Sequence, residues 1–435
     1  MPYALGIDIG STSTSAAVAR RYGQDWTEPE TVALGQASAS VPSVLVQVSA
    51  NLAVVAEHAP EDGDPRTIRG FIRRVGDDVP LLVGAEPYRP QVLAATFAGW
   101  VVDQVTAAED EAPDQLVLSH PAGWGPYRRG LLHQALWQIG LDGVTLLPEP
   151  VAAAEGYAYR QPVEAGATIA VYSLGGTHCE CSVVRRTTSA TFEVLASAES
   201  SVPVGGADFD DAVLAWVRDQ LGPAVADLDP DDPPARRALA RLRERCAAAK
   251  EQLSEAAETT IEVRLPGVRT ELVLSRARFE QLIRPALAGT LDTLTHTLLA
   301  AGVAEPDLDA AILVGGAARV PLVGMLVSAA LPCPVVVADD PAASAARGSA
   351  VAARLVGAAP QPASTPLLAD NQLAVPGLEG ATGESLEYPP PRPPVEITPL
   401  VPPRHGAGRP GARSVGTGVR ATVMLTVLLL LVVGL

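Results

Sequence analysis

Lysine is almost missing from this 435-residue chain: of 32 basic residues, 31 are arginine and only Lys250 is lysine. Together with the abundance of alanine, glycine and proline, the bias points to a high-GC genome, and a lysine retained against that drift marks a position to follow. Positive charge is scarce altogether, with a formal net charge of -17 and a sequence pI near 4.8. Nucleic-acid and anionic-membrane surfaces need clustered lysine and arginine. The deficit therefore argues against nucleic acid as a partner and confines any anion site to a local pocket. Cysteine is limited to Cys179, Cys181, Cys246 and Cys333, whose spacing suits neither zinc nor a disulfide framework. Cys179 and Cys181 are two apart in a strand-like run and read as small core residues on one face. The six histidines lack ligand spacing. The opening MPYALGIDIGS has no signal-peptide pattern, so a reducing cytoplasm is expected.

What is present is an alternation. From residue 1 to about 357, β-rich runs (YALGIDIG, QLVLSHPA, ATIAVYSLG, AAILVGG) alternate with helical stretches, the pattern of an α/β fold. The plainest amphipathic helix is expected from Pro234 to Ser254. The texture then changes, because residues 358–413 carry 13 of the 39 prolines and no sustained period. Residues 358–414 thus read as an extended, disordered Pro-rich linker. Residues 415–435 are apolar apart from Arg420 and a few small polar residues, and as a helix would measure about 31 Å against a hydrocarbon core of about 30 Å. A C-terminal hydrophobic helix serving as a transmembrane anchor is therefore expected. Arg404, Arg409, Arg413 and Arg420 precede or enter it with no acid after Glu396, which leaves the large domain on the cytoplasmic side.

Four glycine turns carry the candidate chemistry. In GIDIGSTSTS a strand ends near Asp8 and turns through Gly10, Ser11 and Thr12. Such a turn presents N–H groups and hydroxyls to phosphate oxygens, while a strand-end carboxylate holds the waters of Mg²⁺. A second turn follows at Gly175-Gly176 within SLGGTHCE, a third at Gly205-Gly206 within PVGGADFD, and a fourth at Gly315-Gly316 within ILVGGAARVP.

In this order, with LPEPVAAAEGYAY, RLRERCAAAKEQLSEAAETTIEV and LSRARFEQLI between them, the segments resemble the ATPase domain of the 70-kilodalton heat-shock chaperones, within the actin-like ATPase superfamily. The resemblance covers roughly residues 3–355. It implies a two-lobed fold, with lobe I at 1–162 and lobe II at 163–357. Lobe II would contain a helical subdomain at about 210–300 and a last helix returning to lobe I. It also implies ATP or ADP with Mg²⁺ as ligand, and protein partners such as co-chaperones. Asp8 would sit near the metal, binding it through waters, with Glu149 behind those waters. Ser11 and Thr12 would meet the outer phosphates, and Gly175, Gly176 and Thr177 would meet phosphate from the other lobe. Lys250 and Ser254, four apart on one helix face, would serve the adenosine side opposite Gly315, Gly316 and Arg319. The lone lysine thus falls on a ligand position of the family.

The departures concern hydrolysis. Ser173 stands where the family starts its second phosphate loop with aspartate, His178 where it has threonine, and Glu180 where it has aspartate. The catalytic lysine aligns with Ile72, next to Arg73, while Ala247 and Glu251 replace an acid and a ring-stacking arginine. Arg73, Glu180, Asp8 and Glu149 are the candidate catalytic groups that remain. Positioned proton transfer contributes about 10² to 10⁴-fold and one charge-stabilising donor about 10² to 10³-fold, so hydrolysis should suffer more than binding. Three functions stay open. The first is a membrane-tethered nucleotide-dependent switch with slow ATPase activity; the second is a catalytically dead scaffold for protein partners; the third is a sugar or metabolite kinase of the superfamily. The family's β-rich peptide-binding domain has no counterpart here, so client refolding by this chain alone is not expected.

Overall fold

The computed structural model describes residues 1–35, 39–49, 52–56, 66–83, 86–222 and 232–358. The expected Pro-rich linker, from residue 359 on, and the expected anchor at 415–435 lie outside the described residues. Among the described residues no helix is long and apolar enough to cross a membrane.

Two mixed sheets repeat one plan. In the first, Tyr3–Ile9 pairs antiparallel with Ser13–Tyr22 on one side and parallel with Gln115–His120 on the other, and Val144–Pro148 continues the parallel side. In the second, Thr168–Leu174 pairs antiparallel with Cys179–Arg186 and parallel with Ala310–Val314, which is followed by Val335–Val337. Phe192–Glu199 closes the far edge of this five-stranded sheet. Both central strands are covered on both faces, which is why YALGIDI and TIAVYSL read as near-continuous apolar runs and not as alternations.

Each sheet has its own core. Tyr3, Phe71 and Phe97 are fully buried around the first, with the Phe71 and Phe97 ring centroids 5.7 Å apart. Tyr172, Phe209 and Phe279 anchor the second, and the last two meet edge-on at 6.4 Å. Cys179 and Cys181 are buried in that second core, as their spacing implied.

The last helix, Ser344–Ala358, leaves the second sheet and packs on Tyr3–Ile9, Gln115–His120 and the helix Glu149–Arg160. Its approach is backbone-close. A Cβ on Gly6 would fall 2.2 Å from the Ala346 carbonyl oxygen, and one on Gly348 would fall 1.7 Å from that of Ala152. No side chain fits at either crossing.

The segment expected as a helical subdomain is mixed. Helices Gly206–Leu221, Pro233–Gln252 and Arg276–Ala301 flank a hairpin of Glu258–Leu265 and Val268–Ser275. Asp232 and Ser275 cap the second and third helices by accepting hydrogen bonds from Ala235 N and Arg278 N. The second helix ends at Gln252, so Ser254 is not on it as expected but in the turn beyond, where its N–H reaches the Glu251 carbonyl at 3.1 Å.

Candidate nucleotide-binding cleft

The hairpin turns of the two sheets face each other and close in the same way: Gly10 N donates to Ser13 O at 3.0 Å, and Gly175 N donates to His178 O at 3.0 Å. The loops touch. Thr177 Oγ1 donates to Ser11 Oγ at 2.8 Å, and a Cβ on Gly176 would lie 2.3 Å from Thr12 Oγ1. The third turn stacks beneath the second, with Gly206 N donating to Gly175 O at 3.0 Å and Ala207 N to Gly176 O at 2.8 Å. A Cβ on Gly205 would be 2.6 Å from the Gly176 carbonyl carbon. Gly315, at φ +87°, brings the fourth turn against the Leu174 carbonyl oxygen.

Between these turns lies a cavity of about 750 Å³, within the range of small-molecule sites. Asp8, Gly10, Ser11, Thr12, Arg73 and Glu149 line it from residues before 163; Gly175, Gly176, Glu180, Gly206, Lys250, Ser254, Gly315, Gly316 and Arg319 line it from residues after. Two expected ligands stand behind this lining. Thr177 is turned to Ser11, and Gly205 is packed on Gly176. Among the described residues both serve the shape of the loops.

One end of the cavity is floored by carboxylates. Asp8 Oδ1 accepts from Ser119 Oγ at 2.5 Å, and withdrawal from solvent pushes the Asp8 carboxyl up to about 6. Glu149 begins the helix Glu149–Arg160. Loss of solvent, then the charges of Asp8 and Glu180, hold its carboxyl well above the usual range against the opposing pull of Arg73. Glu180 is only 5 % exposed. Its Oε1 accepts from Ser197 Oγ at 3.0 Å and Ala122 N at 3.2 Å, whereas its buried Oε2 has no partner. Among the described residues no three His, Cys, Asp or Glu side chains converge tightly enough to clasp a bare cation. The donor set fits instead a hydrated divalent ion, oxygen ligands acting through water, for which the orphaned Oε2 provides an acceptor.

Arg73 brings the cation of this end, but it forms an ion pair with Glu199 at the edge of the second sheet. Ile72 lies beside it, 3 % exposed in the core of the first sheet, where its role is packing. Ser173 lines the cavity between its strand partners Glu180 and Val314. His178 lines it too. Loss of solvent, then Arg73, holds its imidazole below the usual value.

At the other end the cations are already matched. Lys250 Nζ lies 2.8 Å from Asp210 and donates to Gly206 O at 3.3 Å. Arg319 pairs with Asp340 at 2.5 Å. Glu251 and Glu255 border the same end.

Sequence reasoning missed Ser119, Asp210, Ser197, Glu199 and Asp340. Ser119 had a signal, since the parallel register that sets Ile7 against Leu118 puts it beside Asp8. Asp210 ends the quoted PVGGADFD segment. Glu199 and Ser197 arrive from a strand with no motif.

Two sheets on one plan, with glycine turns meeting over a carboxylate floor, define a mixed α/β protein with the architecture of the actin-like ATPases. The comparisons with known proteins agree. The family model described as "Hsp70 protein" matches residues 66–372. The chain is 30 % identical over 390 residues to a Chaperone protein HscA homolog of Bordetella petrii, covering 84 % of this chain and 60 % of that protein. It is 32 % identical over 378 residues to a Chaperone protein HscA homolog of Bordetella pertussis, covering 81 % and 58 %. It is 29 % identical over 359 residues to a Chaperone protein DnaK of Methanothermobacter thermautotrophicus, covering 80 % and 59 %. The chain belongs to the Hsp70 family, and it spans about 60 % of the length of these relatives.

Proposed function

We propose that the chain is a nucleotide-dependent switch of chaperone type that binds ATP or ADP with Mg²⁺, hydrolyses ATP slowly, and is tethered to the membrane by residues 415–435. The observation that carries the reading is the meeting of two identically closed glycine turns over Asp8, Glu149 and Glu180. Ser11, Thr12, Gly175 and Gly176 would cradle the phosphates with backbone N–H groups and hydroxyls. Asp8, Glu149 and Glu180 would hold a hydrated Mg²⁺, which supplies positive charge to the phosphoryl oxygens when bound. Lys250, Ser254, Gly315, Gly316 and Arg319 would border the nucleoside.

Calorimetric titration of ATP and ADP into the purified full chain, with and without Mg²⁺, tests the binding. Saturable binding that requires Mg²⁺ is expected, and absence of binding to either nucleotide would sink the reading. Co-sedimentation with anionic lipid vesicles, lost on removal of residues 415–435, tests the tether.

Ser173 favours a second reading, a scaffold without turnover that displays the cleft to protein partners. Nucleotide bound stoichiometrically with no phosphate released over many hours would select it.

A further inference from the structure

We infer that His178 orients the attacking water for ATP hydrolysis in this cleft; the inference rests on the nucleotide reading above. The Thr177 hydroxyl has a single proton and donates it to Ser11 Oγ at 2.8 Å. His178 Nδ1 lies 2.7 Å from the same Thr177 oxygen, so that contact requires Nδ1 to be the donor. With Nδ1 as the donor, Nε2 is the ring nitrogen left without a hydrogen bond among the described residues, and the side chain lines the cavity.

Of the other basic atoms at this end, the Glu149 carboxylate and the unpartnered Glu180 Oε2 are assigned above to a hydrated Mg²⁺. Asp8 accepts from Ser119, Glu180 is held through Oε1 by Ser197 and Ala122, and Arg73 is paired with Glu199. Ser173 offers only a hydroxyl. His178 brings the imidazole of the lining, and its ring is fixed by a hydroxyl relay from one loop to the other. The relay runs His178 Nδ1–H to Thr177, then Thr177 O–H to Ser11, leaving the Ser11 hydrogen for a phosphate oxygen. One chain of hydrogen bonds thus ties the water-facing nitrogen to the phosphate-facing hydroxyl.

In the step, a water donates one O–H to His178 Nε2 while its oxygen forms a bond to the γ-phosphorus. The bond from that phosphorus to the β–γ bridging oxygen breaks, and its electron pair leaves on ADP. The proton passes to Nε2 and returns to the released phosphate or to solvent, so that ATP and water give ADP and phosphate.

The test uses the purified full chain and Mg–ATP in single-turnover phosphate release, with Mg–ADP affinity measured by calorimetry on each variant. His178→Ala should release phosphate about 10²-fold more slowly, in line with a positioned proton acceptor, while Mg–ADP affinity stays within about threefold; added imidazole should restore part of the rate. His178→Gln, whose amide oxygen reaches toward the place of Nε2, should fall between the two. Thr177→Val, which removes the relay and keeps the ring, should lower the rate about tenfold without changing nucleotide affinity. His178→Ala releasing phosphate at the wild-type rate would overturn the inference, as would a wild type that binds Mg–ATP and never turns it over. A wild type that binds neither nucleotide would be a different result, because it removes the nucleotide reading itself.

Discussion

The two ends of the cleft solve opposite electrostatic problems. At the end made by the hairpin turns, Asp8, Glu149 and Glu180 share a recess whose cation, Arg73, is paired with Glu199, and a Cβ on Gly10, Gly176 or Gly205 would fall 2.3 to 2.8 Å from a neighbouring atom. At the other end Lys250 and Arg319 are each matched by an acid, Asp210 and Asp340, the first pair largely buried and the second more exposed. The first end is short of positive charge; the second is matched in charge. A metal-bound phosphate chain supplies what the first lacks. Selectivity at the second must come from the exchange of existing partners, because any group that engages Lys250 or Arg319 competes with a carboxylate already there.

Gly205→Ala should break the contrast most severely. Its Cβ would meet the Gly176 carbonyl and Thr177 N at 2.6 Å, which only a backbone shift relieves. We expect loss of nucleotide binding in calorimetry and a stability loss of about 1–3 kcal/mol in denaturant unfolding. Next comes Asp8→Asn. The Asp8 carboxyl rises from 3.8 to about 6 in the folded protein, so the folded state holds the proton more tightly than the unfolded one. Its contribution to stability is fully present below about pH 4 and is lost as pH rises through about 6. The nucleotide-free wild type should therefore lose thermal stability relative to Asp8→Asn across that window, by on the order of 3 kcal/mol at neutral pH. The variant should also lose Mg²⁺-dependent binding.

Lys250→Ala should act more mildly, weakening nucleotide affinity about tenfold and leaving Asp210 unpaired in a half-buried place, at a cost of about 1–2 kcal/mol. Arg319→Ala should matter least, because its pair is open to solvent: less than about 1 kcal/mol in stability, and a change of a few fold in affinity. If Lys250→Ala proved as damaging as Gly205→Ala, the contrast between the two ends would be lost.

The uneven legibility of the cleft in the sequence has a physical basis. Turns such as GIDIGST and SLGGTHC are local, so their closure and their glycines can be read from a few consecutive residues. The parallel strands are legible as uninterrupted apolar runs because both faces are covered. The ion pairs were not legible. Arg73 meets Glu199 across 126 residues and Arg319 meets Asp340 across 21, and neither partner has a local pattern that announces the other. Thr177 shows the limit in a different way: its position in the loop was right, but whether its hydroxyl faces phosphate or Ser11 depends on how closely the opposite turn approaches. The end of the helix at Gln252, short of Ser254, likewise follows from tertiary context, since the following turn must feed the Glu258–Leu265 hairpin strand.

The lone lysine has a practical chemical consequence. A chain with one ε-amine offers acylating reagents two targets, Nζ of Lys250 and the α-amine of Met1, and the second is held 2.5 Å from Glu111 at the far end of the first sheet. Lys250 is only 14 % exposed and borders the cleft. An amine-selective label therefore falls either on one wall of the cleft or on the Met1 amine, and a lysine-specific endoprotease tells the two adducts apart, because acylation of Lys250 blocks the one cut after residue 250 whereas acylation of Met1 leaves it. In most proteins of this size such a footprint would be scattered over many lysines; here the composition of the chain has reduced it to one bond.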